Sequence, residues 1–234
     1  MERIDKILSN LGVVSRSECK KAVRLGLICV NGVTISKPDI KVDPDSDIIT
    51  FNGERLNSTS KVYYMLNKPE GYVTANEDSL NKTVFNLIHD TRTDLSAVGR
   101  LDKDTTGILL ITNDGELNHR LLSPKHHVPK RYEVLIDGKL NAVAIGQLTN
   151  GMDIGDDKYT LPAIVEILNE DNPQLVALTI TEGRYHQVKR MFAGVGCPVL
   201  RLHRSAFGAL ELDPDLEPGS YRELTADEVS RLRM

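Results

Sequence analysis

Residues 99–111 read GRLDKDTTGILLI, and this stretch decides how the larger part of the chain is interpreted. Two glycines bound a short polar loop that contains Asp102 and Asp104. The apolar run that ends the stretch predicts a buried strand, and residues 95–98 predict another strand before the loop. A carboxylate in a loop between two buried strands is rigidly held and still reachable, so Asp102 is the first candidate for a functional residue.

Strands outnumber helices on both sides of this loop. The helices do not alternate regularly with the strands, and Asn, Asp and Gly separate the segments. This pattern favours an α+β domain with a mixed, mostly antiparallel sheet flanked by helices. The predicted strands are residues 62–66, 72–74, 95–98, 107–112, 132–136, 175–181 and 199–204, and the predicted helices of this part are residues 142–148 and 186–195.

The first part of the chain predicts a separate small unit. Apolar residues at helical spacing predict a helix over residues 4–11, and Ser15 with Glu18 has the capping-box pattern that begins a second helix. Asn31-Gly32 between two apolar runs is a strong hairpin signal, because both residues tolerate positive φ. A polar stretch without periodicity follows and predicts a linker. The expected divisions are a domain at residues 1–57, a linker at residues 58–61 and a domain at residues 62–234.

The composition narrows the class of protein. The chain has 234 residues and a formal net charge of −4, with 40% hydrophobic and 26% charged residues, which excludes collagen-like, disordered and coiled-coil classes. The apolar runs are too short to cross a bilayer and the N-terminus does not look like a signal peptide, so we expect a cytoplasmic protein without a membrane partner. Three widely spaced cysteines predict neither a disulfide framework nor a metal site.

Positive charge is concentrated in a few places despite the negative sum. Residues 117–132 carry four basic residues and residues 184–204 carry five, and neither stretch contains an acid. On the second predicted helix, Lys20, Lys21 and Arg24 share one face. Such local surfaces suit contacts with phosphates, although three cations on one helix are also typical of an ordinary solvated face.

Three interpretations of the Asp102 loop are open from the residues alone. A calcium loop begins in a similar way, but it requires a carboxylate at the twelfth position, where this chain has Asn113. A phosphoryl-transfer enzyme with an aspartate nucleophile would share the Asp-x-Asp-x-Thr pattern of residues 102–106, but it requires a strongly apolar strand directly before the first Asp. The third interpretation is a structural turn, because Asp is common in turns.

The N-terminal motifs resemble the S4 domain, a small RNA-binding module of the α-L type. These motifs are Arg3-Ile-Asp-Lys, Ser15-Arg-Ser-Glu and Val30-Asn-Gly. The resemblance implies that this unit docks on RNA through the basic residues of its second helix. The implied RNA-binding residues are Arg16, Lys20, Lys21 and Arg24.

The rest of the chain resembles the pseudouridine synthases of the small-subunit ribosomal RNA type. Gly99-Arg-Leu-Asp with Thr105-Thr-Gly is similar to the catalytic motif of that family. Three more motifs stand in the order that the family uses: Asn67-Lys-Pro-Glu-Gly-Tyr, Lys130-Arg-Tyr and Glu182-Gly-Arg-Tyr-His-Gln-Val-Lys-Arg-Met-Phe. The resemblance implies the conversion of a uridine of 16S ribosomal RNA to pseudouridine, at uridine 516, with no cofactor and no metal.

The same resemblance implies roles for individual residues. Asp102 is the nucleophile that acts on a flipped-out uridine, and two steps stay open for it: attack on C1′ or removal of a ribose proton. Tyr132 contacts the base and serves in the transfer of the C5 proton. Lys189 is the cation paired with Asp102, with Arg190 as the near alternative. The residues expected to bind the substrate or the flanking RNA are Arg100, Arg120, Lys130, Arg184, His186, Gln187 and Arg190.

The expected partner is 16S ribosomal RNA or a partly assembled small ribosomal subunit, and the expected state is a monomer. Two alternatives stay open at this point. One is a synthase of the same family that acts on large-subunit ribosomal RNA, and the other is a non-catalytic RNA-binding protein of the S4 type.

Overall fold

The computed structural model of the chain describes residues 1–56, 58, 61–169 and 174–234. It contains two compact units. Met1–Val62 with His89–Ser96 forms the first unit, and Tyr63–Ile88 with Ala97–Met234 forms the second. The predicted linker falls partly on residues 59 and 60, which lie outside the described residues, as does residue 57 at the end of the predicted first domain. The domain boundaries therefore stay a prediction.

The first unit combines two short helices with small sheets. The predicted capping box is confirmed, because the Ser15 side chain accepts a bond from the Glu18 N–H and the Glu18 carboxylate accepts one from the Ser15 N–H. Asn31 and Gly32 have φ of 50° and 79°, as the predicted hairpin turn requires. The elements are β1 (Glu2–Arg3), α1 (Ile4–Asn10), α2 (Arg16–Arg24), β2 (Ile28–Val30), β3 (Val33–Thr34), β4 (Lys41–Val42), β5 (Ile49–Phe51) and β6 (Glu54–Arg55); β1 pairs with β4, and the others form a sheet in the order β3-β2-β5-β6.

A second stretch of sequence, His89–Ser96, completes this unit. The Thr91 hydroxyl donates to the Leu11 carbonyl at 2.9 Å, and the Thr93 N–H donates to the Asn10 carbonyl at 2.8 Å. Gly12 is required at this contact, because it has a φ of +69° and a Cβ there would overlap the Thr91 carbonyl. The sequence did not indicate that the first unit is built from two separated stretches.

The second unit is built on one nine-stranded sheet. Its main path runs, in order, through β11 (Ile164–Ile167), β12 (Leu175–Ile180), β10 (Lys130–Ile136), β13 (Val199–Phe207), β9 (Thr105–Thr112), β7 (Tyr63–Lys68) and β15 (Tyr221–Glu223). In addition, β14 (Leu210–Glu211) pairs with β13, and β8 (Ser96–Ala97) pairs with β9. In the described residues of this sheet, β9 and β13 are parallel, while the pairs β7–β9, β7–β15, β10–β12, β10–β13, β11–β12 and β13–β14 are antiparallel. The predicted α+β fold with a mixed, mostly antiparallel sheet is confirmed.

Helices accompany the sheet in the second unit. They are α3 (Gly115–Leu122), α4 (Ala142–Asn150), α5 (Gln187–Gly194) and α6 (Ala226–Arg233). Short 3-10 turns lie at Val84–Leu87 and Pro124–His126. Among the described residues, no helix is both long and apolar enough to span a membrane.

Several segments of the second unit differ from the sequence-based expectation, because β11, β14, β15 and α6 were not predicted. The predicted strand at residues 72–74 is wrong: Val73 makes an isolated bridge to Thr83, while the Thr74 hydroxyl is bonded to the backbone of Leu101 instead of facing a strand partner. Helix α3 was not predicted, because its apolar period is brief. Asp114 caps that helix through a bond from the Leu117 N–H.

A row of four residues crosses four neighbouring strands near the start of β9. The register pairs Lys68 with Gly107, Gly107 with Arg204, and Arg204 with Tyr132. Gly107 has a φ of +104°, and a Cβ at this position would overlap the backbone of Arg204. The absence of a side chain therefore permits β13 to approach β9 at this point. One buried cation lies on each side of the glycine, Lys68 on β7 and Arg204 on β13.

We expect Gly107→Ala to destabilise the protein strongly. A positive φ costs a residue other than glycine about 1–3 kcal/mol, and overlap with a packed backbone costs a further 1–3 kcal/mol or so. The free energy of unfolding, measured by urea titration with circular dichroism, should fall by roughly 2–6 kcal/mol.

Gly146→Ala in α4 is the matched control. A Cβ at that position meets nothing within 4 Å, and alanine is the better helix former. Its free energy of unfolding should stay the same or rise by up to about 1 kcal/mol. Equal losses in the two variants would contradict the steric role of Gly107.

Candidate active site

The loop that carries Asp102 is fixed by its own backbone bonds. The Thr105 N–H donates to the Asp102 carbonyl at 3.1 Å, which closes a turn. The Thr74 hydroxyl accepts from the Leu101 N–H at 3.2 Å and donates to the Leu101 carbonyl at 2.9 Å. The side chain of Asp102 is 31% exposed, so its carboxylate is held in place and still reachable from solvent.

Lys189 joins the two aspartates of this loop. Its ammonium lies 3.2 Å from Asp102 Oδ2 and 2.6 Å from Asp104 Oδ1. Burial acts to lower the pKa of Lys189, but the bonds to Asp104 and Asp102 outweigh it and raise that pKa. In return, the bond from Lys189 lowers the pKa of the Asp104 carboxyl. The cation is therefore charged and shared between the carboxylates across neutral pH.

His186 approaches Asp102 from the other side. Its Nε2 atom lies 3.5 Å from Asp102 Oδ1, and its ring stacks on the ring of Tyr185 with centroids 3.9 Å apart and an interplanar angle of 16°. The backbone of His186 is left-handed, with a φ of 48°, at the residue before α5 begins. This turn presents His186 and Lys189 to the same carboxylate.

Tyr132 lies on β10, next to Arg204 of β13. It is buried and belongs to the row that leads through Arg204 to Gly107, five residues after Asp102. The register therefore places Tyr132 on the part of the sheet from which the Asp102 loop emerges.

Two buried cations of this row, Lys68 and Arg204, were not among the site residues predicted from the sequence. Lys68 donates to the Thr105 carbonyl at 2.7 Å, and burial lowers the pKa of Lys68 to about 8. The Arg204 side chain is fully buried, donates from Nε to the Ile108 carbonyl at 2.9 Å and lies over the Phe207 ring. Within the part of the chain that the structure describes, Arg204 Nη2 has no hydrogen-bond partner. The sequence signal was the alternation of Leu200, Leu202 and Arg204, which puts this arginine on an apolar strand face.

Three of the predicted RNA-binding residues are engaged in bonds within the protein. Arg184 donates to Glu182 and to the carbonyls of residues 158 and 159, at 2.6 to 3.0 Å. Gln187 is buried and donates to Glu182 at 2.8 Å. Arg190 forms an ion pair with Asp156 at 2.7 Å, whereas Lys189 is the residue that meets Asp102. These bonds brace the segment before α5.

The other predicted RNA-binding residues differ in exposure. Lys130 is half-buried and donates to the Val128 carbonyl at 2.8 Å, and burial together with Arg204 lowers the pKa of Lys130 to about 8. Arg100 is exposed in the Asp102 loop, and Arg120 is half-exposed on α3. In the first unit, α2 exposes the four basic residues that the sequence analysis named: Arg16, Lys20, Lys21 and Arg24. In the described ranges, no group of three or more His, Cys, Asp or Glu has the geometry of a metal site.

Comparison with known proteins gives consistent results for the two units. Residues 62–194 match the family described as RNA pseudouridylate synthase, and residues 2–48 match the S4 domain. An uncharacterized RNA pseudouridine synthase of Bacillus subtilis (strain 168) is 45% identical over 233 residues, which cover 98% of both chains. A ribosomal small subunit pseudouridine synthase A of Yersinia pestis is 42% identical, with 97% of each chain covered.

A solved structure supports the same relationship. A crystal structure described as pseudouridylate synthase superposes with a TM-score of 0.70 at 39% identity, and the match covers 99% of this chain and 100% of the other.

The bond from Lys189 to Asp104 leads to a testable shift. In Lys189→Met, the pKa of the Asp104 carboxyl should rise, because the bond that contributes most to lowering it is removed. The measurement is a carbon-13 NMR titration of the labelled aspartate carboxyl groups. Arg190→Met is the control and should leave this pKa unchanged, because Arg190 pairs with Asp156. The assignment fails if both variants shift Asp104 alike.

Proposed function

This chain belongs to the RNA pseudouridylate synthase family, and from that premise we propose that it converts one uridine of small-subunit ribosomal RNA to pseudouridine. The reaction breaks the bond between ribose C1′ and uracil N1 and forms a bond between C1′ and C5. The proton on C5 is lost and N1 gains one, so the product is an isomer of the substrate. The reaction needs a nucleophile beside the sugar, a route for the C5 proton and a site that retains the detached base.

The observation that carries the proposal is the Asp102 carboxylate, partly exposed and held between Lys189 and His186. A nearby cation favours the ionised form of a carboxylate, which is the form that attacks carbon. In the proposed mechanism Asp102 attacks C1′ as the C1′–N1 bond breaks, and the uracil leaves as an anion. After the base has turned, C5 attacks C1′ and the bond between C1′ and Asp102 breaks, which restores the carboxylate. Lys189, 3.2 Å from Asp102 Oδ2, orients this carboxylate.

Tyr132 is proposed to contact the uracil and to serve in the transfer of the C5 proton. Its position supports this role, because the row through Arg204 and Gly107 ends where the Asp102 loop begins. The buried guanidinium of Arg204 places a fixed positive charge beside Tyr132. A fixed charge in a dry environment stabilises negative charge on a detached base more strongly than water does.

The target uridine must leave the stack of the folded RNA to reach Asp102, and this costs a few kcal/mol that contacts with the RNA have to offset. Arg100 and Arg120 are exposed enough to meet phosphates, so we assign them to the flanking RNA. Lys130, His186 and the bonded set of Arg184, Gln187 and Arg190 are proposed to shape the pocket that receives the nucleotide.

The S4 domain is proposed to dock the enzyme on RNA through α2. Arg16, Lys20, Lys21 and Arg24 are exposed there, and a basic helix face gives affinity for phosphates without sequence specificity. In this proposal residues 1–57 form the docking domain and residues 62–234 form the catalytic domain. The enzyme acts as a monomer in the cytoplasm on 16S ribosomal RNA or on a partly assembled small subunit.

The proposed target is uridine 516, from the resemblance to the small-subunit enzymes. The relative from Yersinia pestis is named for the small subunit, which favours this target over one in large-subunit RNA. Mapping of pseudouridine in both ribosomal RNAs of a strain that lacks the gene distinguishes the two. Loss of a large-subunit site alone would contradict the proposed substrate.

Asp102→Asn should abolish isomerisation, because the amide is not a nucleophile. With small-subunit RNA labelled with tritium at uracil C5, release of tritium into water should fall by more than about 10³-fold. The native enzyme should stay active in EDTA, whereas an aspartate-dependent phosphatase would need magnesium. Asp104→Asn is the matched control in the same loop and should keep most of the activity. Undiminished release in the Asp102 variant would overturn its role.

Neutralising the basic face of α2 should weaken docking and leave the chemical step intact. In Lys20→Gln combined with Lys21→Gln, the slope of log affinity against log salt should become shallower by about 2, one unit for each phosphate that the protein no longer neutralises. The single-turnover rate at saturating RNA should stay close to the native value. Lys139→Gln, an exposed lysine of the second unit, is the control and should leave the slope unchanged. An unchanged slope in the double variant would show that α2 does not meet phosphates.

A further inference from the structure

Tyr185 is an aromatic side chain that the proposed chemistry does not use. It is 75% exposed, although a tyrosine ring is a large apolar surface that is usually buried at least in part. One face of its ring is covered by His186, with the centroids 3.9 Å apart and the rings 16° from parallel. Its high exposure leaves ring surface open to a ligand.

The position of this ring is set by the active site. The His186 ring that supports Tyr185 lies 3.5 Å from the Asp102 carboxylate through Nε2. The backbone of His186 adopts the left-handed conformation, in which residues other than glycine are uncommon, and α5 begins at the next residue. Tyr185 contacts His186, and His186 lies near Asp102, so one imidazole ring connects the exposed ring to the reactive carboxylate.

We propose that Tyr185 is a stacking platform for a nucleobase next to the target uridine. This inference rests on the proposed function. When the uridine is extruded, the neighbouring base is left without one stacking partner, and a flat aromatic side chain at the mouth of the site replaces it. We call Tyr185 with His186 the stacking pair.

The flat exposed ring favours a nucleobase as the occupant. The cation nearest in sequence, Lys189, is paired with Asp102 and Asp104, so the expected contact is made by the aromatic face and not by free positive charge. A planar aromatic surface next to a site that receives a nucleotide matches a base, because stacking on an aromatic side chain is a common way to hold unpaired bases. Every base has a flat face, so the platform adds affinity at any flanking sequence and leaves the choice of uridine to other contacts.

The first test compares substitutions that keep or remove the ring. Tyr185→Leu should lower kcat/KM for tritium release by roughly 5- to 100-fold, the range expected when one base–aromatic stack is removed. Tyr185→Phe keeps the ring and should restore most of this activity. Tyr159→Leu is the matched control, because Tyr159 is 68% exposed in the same unit and the substitution keeps the backbone carbonyl that accepts from Arg184. This variant should be nearly neutral. Equal effects of Tyr185→Leu and Tyr185→Phe would overturn the proposal.

The second test identifies the base. RNA with a reduced abasic site on the 5′ or 3′ side of the target uridine removes one flanking base at a time. If Tyr185 stacks on that base, removal of the base should weaken binding to the native protein but should weaken binding to Tyr185→Leu only slightly. The losses from removing the base and from removing the ring should therefore be non-additive. A merely structural role of Tyr185 predicts additive losses on both sides, and that result would contradict the platform.

Failure of this inference is distinguishable from failure of the proposed function. If the native protein releases no tritium from small-subunit RNA, the proposed function fails. The comparison of native protein and Tyr185→Leu on intact and abasic RNA is then made by equilibrium binding, measured from the anisotropy of fluorescent RNA. Non-additive binding losses would still support the platform, and additive losses would refute it. If the native protein is active and all cycles are additive, the platform alone is wrong.

Discussion

The close approach of β13 to β9 at Gly107 is the constraint on which the second unit depends. These strands are parallel, and their register places Arg204 beside Gly107 and Tyr132 beside Arg204. A side chain at Gly107 would occupy the space of the neighbouring backbone. Because Asp102 lies only five residues earlier, the position of this contact also sets where the reactive loop leaves the sheet.

The ion pairs of Lys189 connect this sheet to helix α5. The Lys189 ammonium meets two carboxylates of the same loop, those of Asp102 and Asp104. The residue directly before the helix, His186, approaches Asp102 as well. Lys189 and His186, three residues apart, therefore both face Asp102. The geometry fixes the direction of the carboxylate more firmly than a single surface ion pair would, since isolated surface pairs contribute little.

Local patterns predicted much of this arrangement from the sequence. The capping box at Ser15 and the hairpin at Asn31 depend on neighbouring residues, and the order of short motifs led to the family and the fold. The burial of Arg204 and Lys68 could not be predicted in the same way. Charged residues are usually exposed, and only the pairing of distant strands shows that these two lie inside. Helix α3 was missed because it is short and only Leu117 and Leu121 of it are buried, so the apolar period is brief.

The return of residues 89–96 to the first unit has a consequence for how the protein is made. Residues 1–56 are synthesised first. The bonds from Thr91 and Thr93 to the carbonyls of Leu11 and Asn10, at the end of α1, can form only after Tyr63–Ile88 has also been translated. At roughly 5–20 residues per second, this interval lasts about 1–5 seconds. During that time the nascent S4 domain lacks part of its final packing. The first unit can therefore complete its packing only after residues 89–96 have been synthesised, and not when its first stretch, Met1–Val62, ends.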